Sequence, residues 1–212
     1  AAKHKKGDAP LYHNIVFDLG GVVINYAPKD YLVDRFYSER TEKALHEDVF
    51  GSEEWELLDK GEITWRQARE VFLQRAEERD LAFEMQTLLD EWTEMMSTRT
   101  ATVNLMRLLK KKGFNIYYLS NMSKEVFDLI RQRDFFSLFE GGVVSCEVGV
   151  VKPDIEIYRQ FLQKYSLVPH ETIFTDDVRQ NTAAAFEAGI TGIQFKNVKS
   201  FCKMLVTYGI DI

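Results

Sequence analysis

Six side chains in this sequence have the types and spacing for phosphoryl chemistry: Asp18, Ser120, Asn121, Lys152, Asp176 and Asp177. Asp18 follows Asn14-Ile-Val-Phe17, Ser120-Asn121 closes Asn115-Ile-Tyr-Tyr-Leu119, and Asp176-Asp177 follows Thr172-Ile-Phe-Thr175. Lys152 precedes a proline in Gly149-Val-Val-Lys-Pro153. A carboxylate nucleophile, a hydroxyl, a cation and a carboxylate pair supply what phosphoryl transfer needs, namely positioning and compensation of spread negative charge. Asp18 with Asp177 can hold a hard, oxygen-seeking cation such as Mg2+, which completes its octahedron with water and phosphate. Lys152 neutralises Asp18 and an incoming phosphate, while Ser120 and the N–H groups opening the next helix can donate to phosphoryl oxygens. Each piece alone has a plainer reading, as a helix cap, a turn or a solvated helix start. Their order and their common place behind apolar runs favour one shared site.

The elements that must carry these residues follow from the flanking patterns. Each apolar run is short, continuous and stopped by polar residues or glycine, as in a parallel strand buried on both faces. The second run follows a helical stretch with Val103, Met106 and Leu109 that stops at Gly113, and the third follows a helix with Ile157, Phe161 and Tyr165. An alanine-rich helix around Ala183–Ala188 stops at Gly189 and leads into Thr191-Gly-Ile-Gln-Phe195. Strands alternating with helices predict an α/β fold with a doubly wound parallel sheet and right-handed crossovers. Loops after the carboxyl ends of such strands converge on one crevice at the switch point of the sheet.

Between Tyr26 and Arg99 strand signals vanish, and Met85, Leu88, Leu89, Trp92, Met95 and Met96 recur with helical spacing. The division is therefore a tail at 1–13, an α/β core at 14–25 and 100–212, and an all-helical insert at 26–99. The Trp and Met stripe is read as the inside of a helix bundle. Asp59-Lys60-Gly61-Glu62 reads as a turn, with Thr64 capping the next helix.

Four stretches together, Phe17-Asp-Leu-Gly-Gly-Val-Val23, Leu119-Ser-Asn121, Val151-Lys-Pro-Asp-Ile-Glu-Ile-Tyr158 and Phe174-Thr-Asp-Asp-Val-Arg-Gln-Asn181, resemble the ordered motifs of the haloacid dehalogenase superfamily. The resemblance runs from about Asn14 to Phe195. It implies a Rossmann-like core with a helical cap inserted after the first strand, and an Mg2+-dependent phosphatase acting on a small phosphorylated metabolite. It also implies that Asp18 becomes an aspartyl-phosphate, that Ser120, Asn121 and Lys152 bind the phosphoryl group, and that Asp18, the Gly20 carbonyl and Asp177 hold Mg2+. Asp176 and Asn181 would orient the metal ligands, and Asp176 is a second candidate to touch the ion. The Asp-Leu-Gly of the first motif is similar to a bacterial subgroup that includes sugar-phosphate phosphatases acting on glucose 1-phosphate.

One departure stands out. Most phosphatases of this family carry a second aspartate two residues after the nucleophile as general acid, and here that position is Gly20. A positioned acid is worth about 10²–10⁴ in rate. Its absence leaves a water, a cap residue or the substrate as proton source, and favours acidic leaving groups such as sugar 1-phosphates. A catalytically silent phosphate-binding or regulatory protein is the first alternative, although such a protein would need no complete set of Asp18, Ser120, Lys152 and Asp177. A metal-independent haloacid dehalogenase is the second, against which stands the cost of an unneeded carboxylate pair beside a carboxylate nucleophile.

Composition bounds the rest. With 212 residues, 45% hydrophobic, the chain can bury a sizeable core. A net charge of −6 offers no basic field for nucleic acid. No apolar run approaches the roughly 20 residues of a membrane span, and no secretory signal is visible, so a cytoplasmic location is expected. Cys146 and Cys202 lack metal or disulfide spacing, and His4, His13, His46 and His170 form no ligand pattern. The opening AAKHKKGDAP reads as a polar tail. Neither the oligomeric state nor the cap residues that meet substrate follow from the sequence.

Overall fold

A computed structural model describes residues 11–212. Five strands, β1 (Asn14–Phe17), β2 (Asn115–Ser120), β3 (Gly141–Val144), β4 (Thr172–Asp176) and β5 (Thr191–Gln194), form one parallel sheet in the order β3-β2-β1-β4-β5. The chain builds β1, β2 and β3 outward on one side and then crosses back to lay β4 and β5 on the other. The switch in direction falls at β1, the strand that delivers Asp18.

Both faces of the sheet are covered, which is why its strands read as continuous apolar runs. Alternate residues point to opposite faces. Ile15, Phe17, Ile116 and Ile173 join Val103, Met106 and Leu109 of α6 (Thr100–Lys111), Val126 and Phe127 of α7 (Lys124–Ile130), and Phe201 and Leu205 of α11 (Val198–Thr207) in one cluster. Val16, Tyr117, Leu119 and Phe174 meet Ile157, Tyr158 and Phe161 of α9 (Ile155–Tyr165) and Ala184 and Ala185 of α10 (Arg179–Glu187) in another.

Between β1 and α6 lie five helices, α1 (Pro28–Phe36), α2 (Glu39–Leu45), α3 (Glu53–Asp59), α4 (Trp65–Glu78) and α5 (Ala82–Glu91). Thr64 caps α4 as expected, in a reciprocal capping box with Gln67. The Trp and Met stripe does turn inward, with Met85, Leu88, Leu89, Trp92 and Met96 buried. The chain enters and leaves these helices through a paired neck, where Ile24 bridges Thr98, Asn25 N donates to Ser97 O at 2.8 Å and Arg99 N to Val23 O at 2.8 Å.

Two expectations need correction. Residues 1–10 of the expected tail lie outside the described residues, but the tail does not reach residue 13. Tyr12 is buried, bonds Thr191 through its hydroxyl at 2.9 Å and packs edge-on against Tyr208, while His13 already pairs with its strand neighbours. Strand β3 was not expected at all. Its Gly141-Gly142 start carries no side-chain signal, because Gly142 passes so close to Tyr118 that a Cβ would sit 2.3 Å from its carbonyl oxygen.

Candidate active site

The register of the sheet assembles the site. Phe17 lies level with Tyr118 on one side and Thr175 on the other, so Asp18, the end of β2 and Asp176 emerge side by side. Asp18 N donates to Thr175 O at 2.9 Å, which extends the ladder to the aspartate itself. The chain then folds into a single tight turn in which Val22, Val23 and Ile24 all donate to Leu19 O. Gly21 in that turn has φ +73°, and a Cβ there would lie 2.2 Å from Asp177 Oδ2. Only glycine lets the first loop approach the acidic pair this closely.

Lys152 is the hub. Its side chain is 1% exposed, and its Nζ lies 3.0 Å from Asp18 Oδ1 and 2.6 Å from Asp176 Oδ2 while donating to Leu119 O at 3.0 Å. Asn121 braces the lysine backbone from both ends, its Oδ1 accepting from Lys152 N at 2.7 Å and its Nδ2 donating to Lys152 O at 2.9 Å. Asn121 also borders the cavity, so the side chain expected at the phosphoryl group holds Lys152 from the rim of the site.

The two neighbouring aspartates divide in the same way. Asp176 is wholly buried, and its oxygens accept from Val178 N, Lys152 Nζ and Asn181 Nδ2 at 2.8, 2.6 and 2.9 Å. Asp177 is exposed and takes part in no ion pair among the described residues. Carboxylate oxygens of Asp18, Asp176 and Asp177 nonetheless lie within 4.8 Å of one another.

Electrostatics follow from this packing. Burial pushes the Asp18 carboxyl well above the usual range, opposed mainly by Lys152, raised further by Asp176 and lowered by the Ser120 hydroxyl. Burial alone would depress Lys152, yet Asp18 and Asp176 outweigh it and hold the ammonium above its ordinary value. Although Asp177 is exposed as a residue, its carboxyl on the cavity floor is also raised, by the loss of solvent there and then by the charge of Asp176. Three carboxylates and one lysine leave a local negative excess that a divalent cation would relieve. The donor set fits such an ion, being all oxygen, converging from two strand ends, with the Asp177 carboxylate free and a cradle kept open by Gly21.

Above the strand ends lies a cavity of about 210 Å³. Its floor is Asp18, Gly20, Ser120, Lys152 and Asp177, and the stretch between β1 and α6 contributes Tyr26, Trp55, Asp59, Trp92 and Met96. Trp55 of α3 faces the cavity. Trp65 packs behind it, with ring centroids 6.3 Å apart, and Tyr31 lies elsewhere. His13, His46 and His170 take no part, and His4 lies outside the described residues.

Residues 12–189 match the model of a hydrolase family, haloacid dehalogenase-like hydrolase. The chain is 27% identical over 194 residues to a sesquiterpene phosphatase of Aspergillus oryzae, covering 90% of this chain and 93% of that protein. It is 25% identical over 189 residues to a phosphorylated carbohydrates phosphatase of Thermotoga maritima, covering 84% and 82%. A similar fold is that of the enzyme bt-2542 of Bacteroides thetaiotaomicron, with a TM-score of 0.72 at 23% identity, covering 92% and 98%. That enzyme is also known in complex with magnesium and inorganic phosphate.

Proposed function

From the premise that this chain belongs to the haloacid dehalogenase-like hydrolases, we propose that it is an Mg2+-dependent phosphatase working through an aspartyl-phosphate on Asp18. The observation that carries this is the Lys152 ammonium 3.0 Å from a buried Asp18 carboxylate at the switch point of the sheet, with Asp177 free beside it. The Asp18 carboxylate attacks phosphorus, and the ester oxygen departs on the opposite side. Lys152 keeps Asp18 ionised and, with the Ser120 hydroxyl, meets the charge on the phosphoryl oxygens. Asp176 and Asn121 position Lys152. Asp18, Asp177 and the Gly20 carbonyl would hold Mg2+, which supplies charge neutralisation at the phosphoryl group when bound.

The cavity walls bear on the substrate. Trp55, Trp92, Met96, Met122 and Val126 present apolar surface, and Tyr26 and Asp59 are the polar groups that the insert adds. A sugar, the leaving group expected from the sequence, would find few partners for its hydroxyls there. A small phosphorylated metabolite whose alcohol has an apolar face fits this lining better, as it does the name of the Aspergillus relative.

Turnover of 4-nitrophenyl phosphate with Mg2+, and after chelation, tests the reading. Hydrolysis that needs Mg2+ is expected. Undiminished hydrolysis in excess EDTA would refute the metal, and none under either condition would favour a silent phosphate-binding protein.

A further inference from the structure

The geometry points to Asp59, on the helical insert, as the general acid that Gly20 does not supply. This rests on the phosphatase reading above. Asp59 is the last residue of α3, one turn beyond Trp55, so the two share the face that lines the cavity over Asp18 and Gly20. Leu58 beside it is buried, and the following turn is clamped to the core. Gly61, at φ +71°, passes so close to Cys146 that a Cβ would sit 2.4 Å from the Cys146 carbonyl oxygen. The end of α3 is thus seated on α8 (Ser145–Val148) rather than held away from the strand ends.

The Asp59 carboxylate also lacks a partner. It makes no ion pair and no hydrogen bond among the described residues, because the adjacent Lys60 is committed to Glu56 at 2.6 Å. The groups that face it are Lys152 across the cavity, Glu56 one turn back on α3, the Tyr26 phenol and the Cys146 thiol. Burial pushes its carboxyl up to about 7, with Lys152 opposing and Glu56 assisting. A carboxyl near the operating pH is suited to giving and taking a proton. No structural duty visible around Asp59 calls for a carboxylate in an aromatic-walled cavity.

Asp18 Oδ forms a bond to phosphorus while the bond from phosphorus to the ester oxygen breaks, and the Asp59 proton moves to that oxygen, releasing a neutral alcohol. Asp59 is left as a carboxylate. In the second half it takes a proton from the water that attacks the aspartyl-phosphate, which frees inorganic phosphate and restores the Asp18 carboxylate and the Asp59 acid.

The test compares two esters of similar shape, benzyl phosphate, whose alcohol is a poor leaving group, and 4-nitrophenyl phosphate, whose phenol departs without help. In Asp59→Asn, kcat/KM for benzyl phosphate should fall by about 10²–10⁴, and for 4-nitrophenyl phosphate by less than about tenfold. Adding Gly20→Asp to that variant should recover part of the benzyl phosphate loss. Gly20 has no left-handed φ, and a Cβ there would meet Tyr26 Cβ at an ordinary 3.6 Å. Unaltered enzyme gives a second readout: kcat/KM for benzyl phosphate should decline on the alkaline side through the Asp59 range, ahead of any decline with 4-nitrophenyl phosphate. Equal losses for both esters in Asp59→Asn, or coincident alkaline limbs in the unaltered enzyme, would overturn the assignment. Loss of Mg2+-dependent 4-nitrophenyl phosphate turnover in the unaltered enzyme would instead sink the phosphatase reading itself.

Discussion

Replacing Lys152 by methionine removes the charge from the centre of the site while keeping an unbranched chain of similar length. In the native protein the Lys152 side chain is 1% exposed and serves two carboxylates, Asp18 at 3.0 Å and Asp176 at 2.6 Å, whose side chains are 10% and 0% exposed. Removing one partner of a buried pair costs roughly 3–5 kcal/mol. Asp176 would still accept from Val178 N and Asn181 Nδ2, and Asp18 Oδ1 from Leu19 N, which argues for the lower end. At about 2–4 °C per kcal/mol in a chain of this size, a loss of about 3 kcal/mol lowers Tm by about 6–12 °C. The sign with pH is fixed by burial. Without the ammonium that opposes burial, the Asp18 carboxyl titrates still further above its unfolded value, so its contribution to stability is full below the ordinary carboxylate range and lost as pH rises through the raised one. Thermal melts of both proteins at pH 5 and pH 8, without divalent ions, should show a larger deficit at pH 8. Turnover should fall by at least about 10²–10³ with the loss of a charged phosphoryl ligand. A deficit independent of pH, or none, would refute the view that Lys152 offsets two buried charges.

Other perturbations follow from the same geometry. Gly21→Ala places a Cβ 2.2 Å from Asp177 Oδ2 at φ +73°, so it should cost at least about 1–2 kcal/mol and weaken Mg2+ binding, measured calorimetrically, by about 10–100-fold; Mg2+ affinity equal to that of the unaltered protein would contradict the cradle. Asp59→Asn should raise Tm at pH 8 and lose that advantage toward pH 5, because an acid raised from 3.8 to about 7 contributes stability below its unfolded value that is lost as pH climbs through 7. The ceiling is about 4 kcal/mol at ~1.36 kcal/mol per unit, and partial solvent access brings it to at least ~2 °C of Tm at pH 8. A lower Tm at pH 8 would show that the carboxylate has a structural partner.

Much of the site was legible because it hangs on strand ends. Asn14-Ile-Val-Phe17 and Thr172-Ile-Phe-Thr175 are apolar on both faces, and such runs in an alternating chain fix where the polar loops converge. What stayed hidden depends on contacts across the chain. Strand β3 is masked by glycines that exist to fit Tyr118. Asp176 and Asp177 are chemically identical neighbours, and only the bonds to Lys152, Asn181 and Val178 separate the buried one from the free one. Asp59 sits in a stretch whose composition spells a turn, and nothing local says that Gly61 presses that turn against Cys146 and brings the carboxylate over Asp18. Asn121 has a residue type that suits phosphate, and nothing local shows that its amide is also matched to the Lys152 backbone.

The central claim is that the phosphoryl group passes through Asp18. Mass spectrometry of the protein quenched during turnover of 4-nitrophenyl phosphate with Mg2+ reads this directly, with Asp18→Asn, which keeps the side chain's shape without its nucleophilic charge, as the companion. The account predicts one phosphoryl group on the peptide containing Asp18 and no turnover above background in the variant. Turnover by Asp18→Asn, or a phosphoryl group on another residue, would contradict it.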